Sequence, residues 1–224
     1  MSELLDNPVW HALGGPHRGL GTELHGLRRY RAEISVFGAV EHPADLSPLA
    51  HLPAGESVGL ATTTTPRVPA TFETILAGDG VQMVADRLRL VPERPDMVSL
   101  GDADVEEMME LVALTRPGPF NRRTYQMDRY IGVRDGGRLI AMAGERMHLP
   151  GFTEVSAVCT HPDYRGRSYA KMLVSEIAQG IIGRGETPFL HTFADNAVAI
   201  ATYEKLGFVL RSRIRFTVMR RLTQ

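Results

Sequence analysis

The residues best placed to do chemistry lie in one run, Arg165-Gly166-Arg167-Ser168-Tyr169-Ala170. A Gly between two Arg, where a strand gives way to a helix, offers charge and open backbone amides together. First-turn N–H groups have no intrahelical acceptor and sit at the positive end of the helix dipole, so the place suits a phosphate. The elements that must position this run are legible on both sides of it. Before it, residues 154 to 160 are mostly small or β-branched and free of Gly and Pro until Pro162, which reads as a strand. After it, Ala170, Leu173, Val174, Ile177, Ile181 and Ile182 recur at the three-and-four spacing of a half-buried helix.

Spacing separates the kinds of phosphate site. The chain has no GxxxxGK followed by Ser or Thr, which excludes a P-loop, and no GxGxxG after a strand, which disfavours a dinucleotide fold. Arg18-Gly19-Leu20-Gly21-Thr22 looks similar on paper, but no apolar strand precedes it and no amphipathic helix follows, so it reads as a loop. The pattern that fits is Arg/Gln-x-x-Gly-x-Gly/Ala after a strand and His-Pro. On these residues, VCTHPDYRGRSYAKMLVSEIA resembles the pyrophosphate-binding segment of the GNAT superfamily of acyl-CoA N-acyltransferases, within its FR47-like branch. FLHTFADNAVAIATYEKLGF resembles that superfamily's closing strand and helix, in the right order and at a helix-length interval. Ser168 stands where the family usually has Gly; its hydroxyl can itself donate to phosphate.

The resemblance implies a mixed α/β GNAT fold. Residues 96–224 would be the acetyl-CoA-binding catalytic domain and residues 1–95 a degenerate GNAT-like half, divided at Val91-Pro92-Glu93-Arg94-Pro95. It implies acetyl-CoA as cosubstrate and direct acetyl transfer to a primary amine, small-molecule or peptide, without an acyl-enzyme. Backbone groups of Val158, Cys159 and Thr160 would hold the pantetheine arm and polarise the thioester carbonyl. Arg165, Gly166, Arg167, Ser168, Tyr169 and Ala170 would hold the pyrophosphate, and Asn196 would touch the coenzyme. Tyr203, seven residues beyond Asn196 on one helix face, would meet the thiol and act as general acid. Glu154 would be the general base, at the eleven-residue spacing from Arg165 seen in the histone-acetyltransferase branch. A base is needed because a lysine-like amine of pKa about 10.4 costs roughly 4.6 kcal/mol to neutralise at pH 7.

Each of these residues has a plainer alternative. Glu154 could be a solvated strand-end carboxylate, and Tyr203 could pack on Phe208 with its hydroxyl in water. Cys159 and His161 are too close along one strand for a nucleophile–base dyad, and a strand Cys is most often a small apolar residue. Arg211, Arg213 and Arg215 share a strand face and read as a solvated edge. The alternative class is a non-catalytic acyl-CoA-binding or regulatory protein.

Composition narrows the field. In 224 residues, 43% are hydrophobic and 23% charged, and the net charge of −1 gives no bulk attraction to nucleic acid or an anionic membrane. MSELLDNPVW lacks the pattern of a signal peptide and no apolar run reaches membrane-spanning length. The single cysteine forms no intrachain disulfide and suits the cytoplasm. The eight His are scattered without HExxH or a Cys/His cluster, so no metal is expected. The oligomeric state is open, with a homodimer among the options.

Elsewhere the pattern predicts a short helix from Asn7-Pro8 to Leu13, few strand signals before residue 30, strands over 34–40 and 58–63, a helix over 71–77 and a strand over 81–85. A helix capped by Asp102 or Asp104 runs to Leu114, with a short helix over 121–129. Asp135-Gly136-Gly137 joins a hairpin of 130–134 and 138–147. A strand over 188–192, a helix over 197–206 and a last strand, or two, over 208–219 follow.

Overall fold

The computed structural model describes residues 3–89, 91 and 95–223; of the connector, Pro92, Glu93 and Arg94 lie outside the described residues. Eleven strands and four α-helices are described. A small antiparallel sheet holds β1 (Gly21–Leu24), β2 (Leu27–Tyr30) and β3 (Gly38–Val40). The main sheet holds β4 (Ser57–Thr62), β5 (Phe72–Ala85), β6 (Met97–Leu100), β7 (Tyr130–Asp135), β8 (Arg138–Leu149), β9 (Phe152–Thr160), β10 (Thr187–Phe193) and β11 (Phe208–Arg221), in the order β4-β11-β5-β10-β9-β8-β7-β6. Only β9 and β10 run parallel among its described pairs. The fold is therefore mixed α/β. Strands from both sides of residue 95 alternate within one sheet.

The helices are α1 (Pro8–Gly14), α2 (Val105–Thr115), α3 (Tyr169–Gly183) and α4 (Ala197–Lys205). They cover the two faces of the sheet. On one, Leu173, Val174, Ile177 and Ile181 of α3 and Tyr203 and Leu206 at α4 pack on Ile131, Val133, Ile140, Val155 and Leu190. On the other, Leu5, Val9, Trp10 and Phe37 cover Met147, Leu149 and Phe189, and α2 covers Tyr130, Met142 and Cys159. Successive residues of one strand thus feed two cores, as a two-residue period requires. No helix among the described residues is long and apolar enough to cross a membrane.

Four expectations need correction. Residues 72–77 are strand, not helix: Phe72 to Ala77 pair with Arg221 to Thr217 of β11, a partner almost 150 residues away that no local window contains. The stretch 121–129 forms one 3-10 turn, Thr124–Met127, because Thr124 spends its hydroxyl on the Ile34 carbonyl and the Asn121 amide. The predicted strand at 34–40 shrinks to Gly38–Val40, since the chain turns through Arg31 to Ser35 on backbone bonds to the Arg31 carbonyl. Finally, β1 and β2 form a hairpin in a region read as poor in strands. Its turn is His25-Gly26, with φ 49° and 81°, the left-handed geometry of a tight hairpin.

Candidate active site

The Arg165–Ala170 run joins β9 to α3 through a 3-10 turn, Pro162–Tyr164. Gly166 has φ 79° and Ser168 has φ 64° and ψ 11°, both left-handed. A side chain at the Ser168 position costs about 1–2 kcal/mol against the right-handed alternative, which is a physical reason to expect Gly there. The Ser168 side chain makes no cap bond to the helix. The amides of Gly166 through Lys171 donate to no protein acceptor among the described residues. They remain available for an anion.

These residues face a cavity of about 870 Å³, large enough for a coenzyme arm and a small second substrate. Arg165, Gly166, Ser168, Tyr169 and Ala170 line it, as do Val158, Cys159, Thr160, Asn196 and Tyr203. Arg167 does not; its guanidinium lies 5.1 Å over the Tyr164 ring. Asn196 caps α4, its side chain accepting from the Ala199 amide at 3.1 Å, and still reaches the cavity wall.

The cavity enters the sheet through a slit. The β9–β10 pairing ends at Val155 and Leu190, although β9 continues to Thr160 and β10 to Phe193. A bulge starts the divergence: between Ser156 and Cys159, β9 spends three steps where β8 spends two, from Gly144 to Met142. Ala157 sits in the bulge at φ 51°. An extra residue bends its strand and raises the local twist. The edge of β9 from Ser156 to Thr160 is left without its parallel neighbour, and the cavity fills the gap.

Tyr203 reaches this gap from α4 and is 8% exposed. Burial, and then the neighbouring Cys159 thiol, pushes its phenol up to about 12. Its hydroxyl has no protein partner among the described residues, although the ring packs edge-on against Phe208 at 6.2 Å. The ring thus packs as the plainer reading expected, while the residue lines the cavity, where a role at the thiol would need it. Cys159 is buried, its thiol pushed up to about 11 by burial, so it is the small apolar residue predicted and a poor nucleophile.

Glu154 does not fit the role of proton acceptor. It is fully buried and is not on the cavity wall. Arg146 donates to both its oxygens, from Nε at 2.8 Å and Nη2 at 2.7 Å, and His191 Nδ1 lies 2.7 Å from Oε1. Burial alone would raise its pKa; the Arg146 charge and hydrogen bonds outweigh that and hold it down to about 2. A carboxylate so committed is a weak base. The sequence spacing placed the residue on β9 as expected, but its bonds go to Arg146 and His191, and those two line the cavity in its place. Its consequence is positional: it fixes His191, whose Nε2 lies 3.0 Å from Gln82 Nε2, and it fixes Arg146.

Arg146, His191, Phe37, Phe193 and Phe216 line the far end of the cavity, and sequence reasoning missed all five. One signal was present: Glu145-Arg146 interrupts an otherwise apolar strand, the mark of buried charges with partners nearby.

An opened mixed sheet with free amides at the helix beside the slit is the architecture of an acyl-CoA-dependent acyltransferase. The FR47-like protein family model matches residues 130–217. A GNAT-family crystal structure from Novosphingobium aromaticivorans is 39% identical, with a TM-score of 0.90 over 99% of this chain and 100% of that one. The chain belongs to the GNAT family of acetyltransferases. N-alpha-acetyltransferase RimI of Mycobacterium tuberculosis is 34% identical over 96 residues, 41% of this chain and 60% of that protein. Mycothiol acetyltransferase of Mycobacterium leprae is 33% identical over 84 residues, 34% of this chain. The chain spans only 60% and 27% of the length of these two curated relatives.

Proposed function

We propose that the protein moves an acetyl group from acetyl-CoA to a primary amine by direct attack, without an acyl-enzyme. The observation that carries this reading is the slit between β9 and β10, with anion-ready amides at one end and an unpartnered phenol beside it. When bound, the thioester supplies an activated acetyl carbon and a thiolate leaving group. The Gly166–Ala170 amides and Arg165 hold the diphosphate. The free edge of β9 orders the pantetheine arm as an added strand would and offers N–H groups to the carbonyl oxygen.

Tyr203 stays protonated throughout the physiological range because its pKa is about 12. It donates a hydrogen bond to sulfur as the C–S bond breaks and the C–N bond forms. Full transfer from so weakly acidic a phenol to a free thiolate of pKa about 8.5 would be uphill, so the hydrogen bond matters more than the proton's early departure. Cys159, held as a thiol, stays out of the covalent path. With no carboxylate on the cavity wall among the described residues, this reading sends the amine's proton to solvent.

Incubation with acetyl-CoA and an amine panel tests this. One CoA should appear per acetylated amine, without a burst and without an acetylated protein mass. Coenzyme binding with no CoA release on any amine would favour a non-catalytic binding protein instead.

A further inference from the structure

The two ends of the cavity carry different charges for different reasons. Arg165, Lys171 and Lys205 line the coenzyme end, where phosphates account for them. At the far end stand Phe37, Phe193 and Phe216, with Phe216 5.5 Å from Phe193 and 6.5 Å from Phe37. Two cations face the same space. Arg146 is 7% exposed, and Glu154 engages its Nε and Nη2. Its Nη1 donates to no protein acceptor among the described residues, while the side chain lines the cavity. Arg116, in the left-handed position that ends α2, also lines the cavity and its side chain has no ion pair or hydrogen bond among the described residues. Thr217 Oγ1 is buried on the same wall without a partner. Among the described residues, no Asp or Glu lines the cavity.

We propose that the acceptor is an amine bearing a carboxylate on an apolar or aromatic body, the class of the apolar α-amino acids, with Arg146 and Arg116 as its carboxylate receptors. This rests on the acyltransferase reading above. A buried guanidinium with one edge committed and the other open is shaped for a planar carboxylate. A second ammonium on the acceptor would meet two cations and no counter-charge, which selects against polyamines and lysine side chains. The three Phe rings take the body of the acceptor by apolar contact.

The test is CoA release at saturating acetyl-CoA with phenylalanine, methionine, phenethylamine, spermidine and a lysine peptide. Phenylalanine or methionine should exceed phenethylamine in kcat/KM by at least about tenfold, the worth of one charge-assisted contact. Spermidine and the peptide should stay at background. Arg116→Ala, an exposed change, should raise the KM for phenylalanine about five- to tenfold and leave that for acetyl-CoA unmoved. Arg146→Lys, with its melting temperature checked, should act in the same direction. Preference for phenethylamine, spermidine or a peptide would overturn the proposal, as would an unchanged phenylalanine KM in both variants. Failure of acetyl-CoA to bind by calorimetry would overturn the acyltransferase reading itself, and this proposal with it.

Discussion

On the reading proposed above, the coenzyme end and the acceptor end of one cavity are built from different materials. The first is backbone: amides at the start of α3 and the bare edge of β9, set by a few consecutive residues. The second is side chain: Phe37 from the loop before β3, Arg116 after α2, Arg146 from β8, His191 and Phe193 from β10, Phe216 from β11. Backbone recognition tolerates change in side chains, so it can stay constant while the facing wall varies. A wall of dispersed side chains can be retuned one residue at a time, which is what a change of acceptor requires.

The widest separation between the ends should come from Arg146→Ala. It strands a fully buried carboxylate and should cost about 3–5 kcal/mol in denaturant unfolding. Coenzyme affinity measured on the remaining folded protein should hold, since Gly166–Ala170 make no contact with that pair. If affinity falls together with stability, the two ends are one unit and the comparison fails. Tyr203→Phe acts where they meet. It should lower kcat about a hundredfold, and the KM for acetyl-CoA should move less than about twofold; an unchanged kcat removes the phenol from the chemistry.

Acid sharpens the contrast further. Glu154 is held below its ordinary 4.5, so its pairing contributes stability that is complete above that value and is lost as pH falls from there toward 2. Acid melting of the wild type should therefore steepen in that window, and the same slope in Glu154→Gln would show that other groups govern it. The smallest effect belongs to the coenzyme end. Ser168→Gly relieves a left-handed residue and should raise stability by about 0.5–1 kcal/mol, without weakening coenzyme binding. A lower melting temperature would mean that the turn is not left-handed.

The same division explains what could be read from the sequence. The strand, the Arg165–Ala170 run and α3 are local, and each leaves a period or a motif. The hairpin at Gly136-Gly137, with φ 56° and 87°, announced itself by its turn residues. His25-Gly26 makes a similar turn, but the short β1 and β2 around it show too little alternation to be seen. Glu154 was placed on its strand correctly, yet its role hung on Arg146, eight residues back across a register shift in β8. The Arg167 side chain went to Tyr164 because a single turn decides which of two adjacent Arg faces the cavity. Phe72–Ala77 was the largest miss, for its conformation is dictated by β11 and not by its own residues.

That last strand has a consequence for how the molecule assembles. Because β5 occupies the slot between β10 and β11, the sheet cannot close until β11 is available to pair with both β4 and β5. A nascent chain must hold the edges of its early strands unzipped while well over a hundred residues emerge, a slow, high-contact-order closure. Cutting the backbone near residue 91 should then give two pieces that regain activity only when mixed, like the interleaved halves of a clasp.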